Sequence, residues 1–179
     1  MKSIYLVMSQ TGSMLSRTIK LISGKNYNHI SISLSEDLSN MYSFGRKTPY
    51  NPFIGRFVVE GIDMGTFLRF KGTECRVIKI DVTDSQYENL CSNIYDMVEN
   101  KDEYRYNLLG LLLAAFNVHA SFDNKFYCSE FVKYIMEKSD IDVSMLPDIP
   151  HPTDFMRLDN DILYEGLLHD YSKSYAKRN

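Results

Sequence analysis

Phe126-Tyr127-Cys128-Ser129-Glu130-Phe131-Val132-Lys133-Tyr134-Ile135-Met136 is the stretch around which the chain is organised. Phe131, Val132, Ile135 and Met136 recur at helical spacing and mark one buried stripe. A helix is therefore expected, with Cys128 at the point where a loop becomes that helix. A cysteine there meets unpaired backbone N–H groups and the positive end of the helix dipole. Both favour thiolate over thiol and so favour a nucleophile at neutral pH. A second reading stands beside this one. Cys128 lies three and four residues before Phe131 and Val132, so an ordinary buried thiol on the same stripe also fits. On this stretch alone the ordinary thiol is favoured; a base elsewhere in the chain changes the weighting.

The chain has 179 residues, enough for one domain with a full core, and it is read as a single domain over 1–179. Hydrophobic residues make up 44% and charged residues 24%, with a net charge of −3. That balance lacks the basic footprint of a nucleic-acid partner. Cys75, Cys91 and Cys128 are three cysteines without a C-x-x-C pair, which argues against a disulfide framework or a zinc site. The apolar run before Ser9 is too short for a signal peptide or a membrane span. The expectation is a cytoplasmic protein without an integral membrane segment; its oligomeric state is left open.

Outward from the central stretch, the pattern is of short strands and separate helices. Ile4 to Met8 reads as a buried first strand. Ser13 is placed to cap a short helix over 14–23, which Gly24 would stop. In His29-Ile30-Ser31-Ile32-Ser33-Leu34 the alternation is strict, predicting a half-buried strand with Ile30, Ile32 and Leu34 inward and His29, Ser31 and Ser33 on the other face. Met41 to Phe44, Arg56 to Ile62, Thr66 to Phe70 and Arg76 to Val82 read as further strands of a mostly antiparallel sheet. Gly45 to Gly55 holds Pro49 and Pro52 and reads as a surface loop. Thr83-Asp84-Ser85-Gln86 has the spacing of a capping box, and the helix after it is expected to bury Tyr87, Leu90, Cys91, Ile94 and Val98. Leu108 to Phe116 is apolar nearly all round and reads as a central helix. Pro147 to Pro152 is a connector, with Thr153 as a cap for a short helix. Ile162 to Leu168 fits a strand or a helix, and the tail from Lys173 is expected to fray. The fold class is α+β.

Cysteine catalysis needs a thiolate, an imidazole to accept and return its proton, and a polar group to orient the imidazole. Cys128 at a helix start and His29 on a strand are the right types, although 99 residues separate them (128 − 29) and only a fold can bring them together. Tyr127-Cys128-Ser129-Glu130-Phe131-Val132 resembles the nucleophile motif of the permuted NlpC-like, papain-like cysteine hydrolases. That superfamily includes the YiiX- and YycO-like groups and the lecithin–retinol acyltransferases. Asn28-His29-Ile30-Ser31-Ile32 resembles its base motif. Histidine precedes cysteine, the order that circular permutation of a papain-like core implies. Val58-Val59-Glu60-Gly61 resembles the strand on which many members carry a glutamate, and Pro152-Thr153-Asp154-Phe155 the segment that closes their domain.

The resemblance implies a permuted papain-like core and a catalytic set of Cys128, His29 and Glu60. It implies acyl transfer without a metal or other cofactor, on a small-molecule, peptide or lipid-like acyl substrate. Ser43 competes with Glu60 for the third role, because the segment between the histidine and glutamate strands is longer than usual. The second histidine of the acyltransferase branch is absent, which argues against a close acyltransferase. Two rivals stay open: a binding domain of the same fold without turnover, and a lipid acyltransferase. Among the remaining histidines, His119 reads as structural, His151 as exposed between two prolines, and His169 as a solvated partner of Asp170. Glu36, Asp37 and Asp159 to Asp161 read as loop acids, with no histidine at metal-ligand spacing. Tyr104 and Tyr106 read as packing residues beside the central helix.

Overall fold

The computed structural model describes residues 1–12, 21, 24, 26–48, 51–107 and 125–178. The expected Ser13 cap and helix over 14–23, the apolar helix over 108–116 and His119 lie outside the described residues. The rest forms an α+β architecture on one six-stranded antiparallel sheet.

Strand β1 (Lys2–Gln10) is paired on both sides, with β2 (His29–Ser33) and with β5 (Glu74–Val82). It is buried from Ile4 onward, which is why its apolar run is continuous rather than alternating. Beyond β2 lie β3 (Met41–Thr48) and β4 (Asn51–Glu60); beyond β5 lies β8 (Asp161–Leu167). The order is β4-β3-β2-β1-β5-β8. A separate two-stranded parallel pair joins β6 (Arg105–Tyr106) to β7 (Lys125–Phe126).

Each face of the sheet has its own core. Ile4, Leu6, Met8, Ile30, Ile32 and Ile78 pack on one face against α2 (Asp84–Glu99) and α3 (Cys128–Glu137). Tyr5, Val7, Met41 and Val77 pack on the other against Phe67 of α1 (Gly65–Arg69), Leu168, and Tyr171 at the start of α4 (Tyr171–Arg178). The strand with His29 is therefore not half-buried as its alternation suggests. Ser31 and Ser33 are fully buried on the second face, where short hydroxyls are tolerated because each finds a partner. Ser33 Oγ donates to the Asn40 and Ser35 carbonyls at 2.8 and 2.9 Å.

The capping box forms as the spacing predicts. Thr83 Oγ1 accepts from the Gln86 N–H at 3.2 Å and Gln86 Oε1 from the Thr83 N–H at 2.9 Å. The helix behind it buries Leu90, Ile94 and Met97, whereas Tyr87, Cys91 and Val98 are half-buried at the margin of the stripe.

Three readings are corrected. Within Gly45 to Gly55, Gly45–Thr48 belong to β3 and Asn51–Gly55 to β4, strand rather than loop; 49 and 50 lie outside the described residues. The prolines of this stretch argue against a central strand, but β4 is outermost, and an edge strand tolerates the missing N–H of Pro52. Thr66 to Phe70 is not a strand: α1 makes a short helix whose one buried side chain is Phe67. Phe67 and Phe70 stand at helical i, i+3 spacing, whereas alternation would set Phe67 beside Arg69 on one face. The tail from Lys173 is helical as far as Arg178; it continues α4, anchored by Tyr171, whose hydroxyl donates to the Glu36 carbonyl at 2.7 Å. Ile162 to Leu168 resolves as a strand, β8, on the far edge. Among the described residues, no helix is long and apolar enough to cross a membrane.

Candidate active site

The site is built from one helix start and three strands. Helix α3 begins at Cys128 after an extended Tyr127, whose N–H donates to the Glu130 carboxylate at 3.3 Å. Ser129 Oγ donates to the Pro150 carbonyl at 2.7 Å, tying the helix start to the proline connector. One turn on, Phe131 packs against Phe44 of β3 and Phe57 of β4, with ring centroids 5.5 and 5.6 Å apart. These contacts fix the first turn, and with it a Cys128 side chain that is only 4% exposed.

His29 opens β2. Its Nε2 lies 3.0 and 3.2 Å from the two carboxylate oxygens of Glu60. The imidazole and carboxylate side chains are 17% and 13% exposed. Ser31 Oγ donates to Glu60 Oε2 at 2.6 Å and sits 3.3 Å from His29 Nε2. The ring packs at a tilt against Phe67, centroids 6.2 Å apart. Cys128 is a further group that acts on the imidazole. With Nε2 committed to the carboxylate, Nδ1 is the ring nitrogen available to the sulfur.

Burial by itself lowers the pKa of His29. The negative charge of Glu60, then hydrogen bonding to Cys128 and to Glu60, outweigh it and raise the value from 6.5 to about 10. A shift in that direction favours the imidazolium at neutral pH.

The fold thus brings Cys128, His29 and Glu60 together. Ser43, the competing third residue, is elsewhere: its buried Oγ donates to the Ile30 carbonyl at 2.7 Å, bracing β3 against β2. The other cysteines stand apart. Cys75, on β5, is 1% exposed, and burial followed by the Glu165 carboxylate pushes its thiol up to about 12. Cys91 is half-buried on α2, and burial raises its thiol as well. His169 does not pair with Asp170 but with Asp63, Nδ1 to Oδ1 at 3.2 Å; Asp170 holds Lys173 at 2.9 Å. His151 is half-buried and itself caps the short helix Pro152–Arg157, the role expected of Thr153. Among the described residues, no group of three or more His, Cys, Asp and Glu is placed to hold a metal ion.

Two neighbours of the site escape a reading confined to catalytic residue types. Ser31 lies two residues after His29, so strand periodicity already puts it on the same face. Gly45 lies where a Cβ would stand 3.2 Å from Glu60 Oε1 and 3.6 Å from His29 Cε1. A glycine within a strand is the signal for such a close approach. Comparison with known families, curated proteins and solved structures finds no match to this chain.

Proposed function

We propose that the chain is a thiol hydrolase with a permuted papain-like, NlpC-like core, cleaving an amide or ester bond of a small-molecule, peptide or lipid-like acyl substrate. One observation carries the reading: a single imidazole is held by Glu60 at Nε2 and is acted on by Cys128, at the start of α3. That is the arrangement a nucleophile, its base and an orienting group require.

The thiolate of Cys128 attacks the carbonyl carbon, forming a C–S bond and moving the π electrons to oxygen. The Cys128 N–H, in the first turn of α3, donates to this oxyanion. Collapse of the intermediate breaks the C–N or C–O bond, and His29 gives its Nδ1 proton to the leaving group. Neutral His29 then takes a proton from water as the hydroxide attacks the thioester. Release of the acid returns the thiolate and the imidazolium. Glu60 stabilises that imidazolium and fixes its orientation throughout. No step calls on a metal or cofactor.

The test is intact-mass analysis after incubation with an activated p-nitrophenyl ester. The wild-type protein should carry one acyl group, mapped to Cys128, and Cys128→Ala should carry none. Acylation spread over several residues, or retained in Cys128→Ala, would remove the reading.

A further inference from the structure

The thiol chemistry gives Ser31 no part, yet its hydroxyl is set against two of the groups that carry it. Ser31 stands two residues after His29 on β2, so both side chains lie on the same face of the sheet. It is fully buried. Its Oγ is 2.6 Å from Glu60 Oε2 and 3.3 Å from His29 Nε2. Because β3 lies between β2 and β4, the Ser31–Glu60 bond ties together two strands that do not pair with each other.

The protons at this junction can be counted. A serine hydroxyl has one proton to donate, and an ionised carboxylate has none. The contact at 2.6 Å therefore takes the Ser31 proton to Oε2, at the length of a charge-assisted O–H···O⁻ bond. His29 Nε2 faces the same carboxylate, 3.0 Å from Oε2 and 3.2 Å from Oε1. Two such similar distances do not choose an orientation, and the terminal torsion of a glutamate is soft. The hydroxyl supplies the choice by fixing Oε2. On the other side, Oε1 occupies space that Gly45 leaves open, 3.2 Å from where a Cβ would stand.

The charge attraction between His29 and Glu60 lasts for half of the catalytic cycle. Once His29 has given its Nδ1 proton to the leaving group, the ring is neutral and the coulombic hold on Glu60 is gone. The Ser31 bond does not depend on the charge of the ring. We propose that Ser31 is a positioning residue, whose hydroxyl keeps the Glu60 carboxylate on Nε2–H while the ring is neutral, so that Nδ1 stays the base that accepts a proton from water. Without that donor the carboxylate turns, and the neutral ring can carry its proton on Nδ1, the tautomer with no acceptor there. The effect falls on deacylation. Acylation starts from the imidazolium, which is protonated at both nitrogens and has no tautomer to lose. This role in turnover rests on the hydrolase reading.

The test is Ser31→Ala on the p-nitrophenyl ester, with melting temperatures as the folding control. An activated ester acylates readily, so kcat reports release of the acyl group. It should fall about tenfold, in line with one hydrogen bond to a charged group. The acylated fraction seen by intact mass should rise, and kcat/KM, which reports acylation, should stay within about twofold. In a Glu60→Gln background the same substitution should cost nothing further. A loss of kcat and kcat/KM together, repeated in both backgrounds, is the mark of a merely structural role and overturns the proposal. Long-range ¹H–¹⁵N NMR reads the His29 tautomer without turnover, in Cys128→Ala protein titrated until the ring is neutral. The proton should sit on Nε2, and adding Ser31→Ala should divide it between the two nitrogens. A tautomer that Ser31→Ala leaves unchanged overturns the proposal whatever the ester shows. Failure of the wild type to form an acyl-enzyme tells against the hydrolase reading instead.

Discussion

Cys75 and Cys128 are hidden to nearly the same degree, 1% and 4% exposed, yet the surroundings of the two sulfurs oppose each other. Cys75 sits within β5, paired across to Ser9 on one side and Gly166 on the other. The charge that acts on it is the Glu165 carboxylate, and together with burial it holds the thiol protonated. Cys128 stands at the first turn of a helix and faces an imidazole that Glu60 keeps charged. Burial penalises an anion in both places. What distinguishes them is the neighbouring group, an imidazole for Cys128 and a carboxylate for Cys75. Burial alone therefore separates neither cysteine from the other; the partner does.

The largest change to this contrast comes from deleting the imidazole. In His29→Ala, Cys128 should behave chemically like Cys75, and ester turnover should fall by about 10³-fold or more, the range for a lost general base. Measuring kcat/KM on the p-nitrophenyl ester of the proposed reaction checks it, and an undiminished rate would dissolve the contrast.

Next comes Glu60→Gln, which keeps the shape and removes the charge. The His29 titration, followed by the Cε1 proton in NMR, should move from about 10 back toward 6.5. Turnover should drop by about 10- to 100-fold, less than for His29→Ala, because an orienting group matters less than the base. The stability effect has a definite sign. A folded pKa above the unfolded one contributes stability fully below pH 6.5, and the contribution is lost as the pH rises through about 10. Urea midpoints should therefore show the variant weaker by about 1–3 kcal/mol at pH 6, the size of a lost charged hydrogen bond. The gap should narrow toward pH 10. A gap that widens with pH would contradict the ion pair.

Gly45→Ala tests the same pair by crowding. The added methyl would press on Glu60 Oε1 and Val58 at 3.2 Å, costing about 1 kcal/mol or somewhat more. A several-fold loss of kcat with little change in KM is expected, read by steady-state kinetics. Smallest is Ser43→Ala, which removes the bond to the Ile30 carbonyl. It should lower stability by about 1 kcal/mol and leave turnover unchanged; lost turnover would give Ser43 a role that the geometry does not.

Much of this was legible in the chain itself where the signal is local. The Thr83–Gln86 capping box, the stripe behind Cys128 and the strand that starts at His29 are set by spacing within a few residues. The failures share a cause in tertiary context. Pro52 reads as a loop residue until β4 is known to be an edge, and Ser31 and Ser33 read as the outer face of a half-buried strand until a second layer covers them. Phe67 is apolar in any reading, but only the fold shows that it packs on His29. The choice of Glu60 over Ser43 as partner depends on register: Glu60 pairs with Met41 and Ser43 with Val58, and no periodicity within either strand contains that fact.

The central claim is that Cys128, and not the equally buried Cys75, is an activated sulfur, and brief alkylation tests it most directly. The folded protein is treated with iodoacetamide at pH 6, quenched within minutes and mapped by peptide mass spectrometry. Label should accumulate on Cys128 well before Cys91 and Cys75, and His29→Ala should abolish that lead. Equal labelling of all three cysteines in the folded wild type, or a lead that persists without His29, would contradict the account.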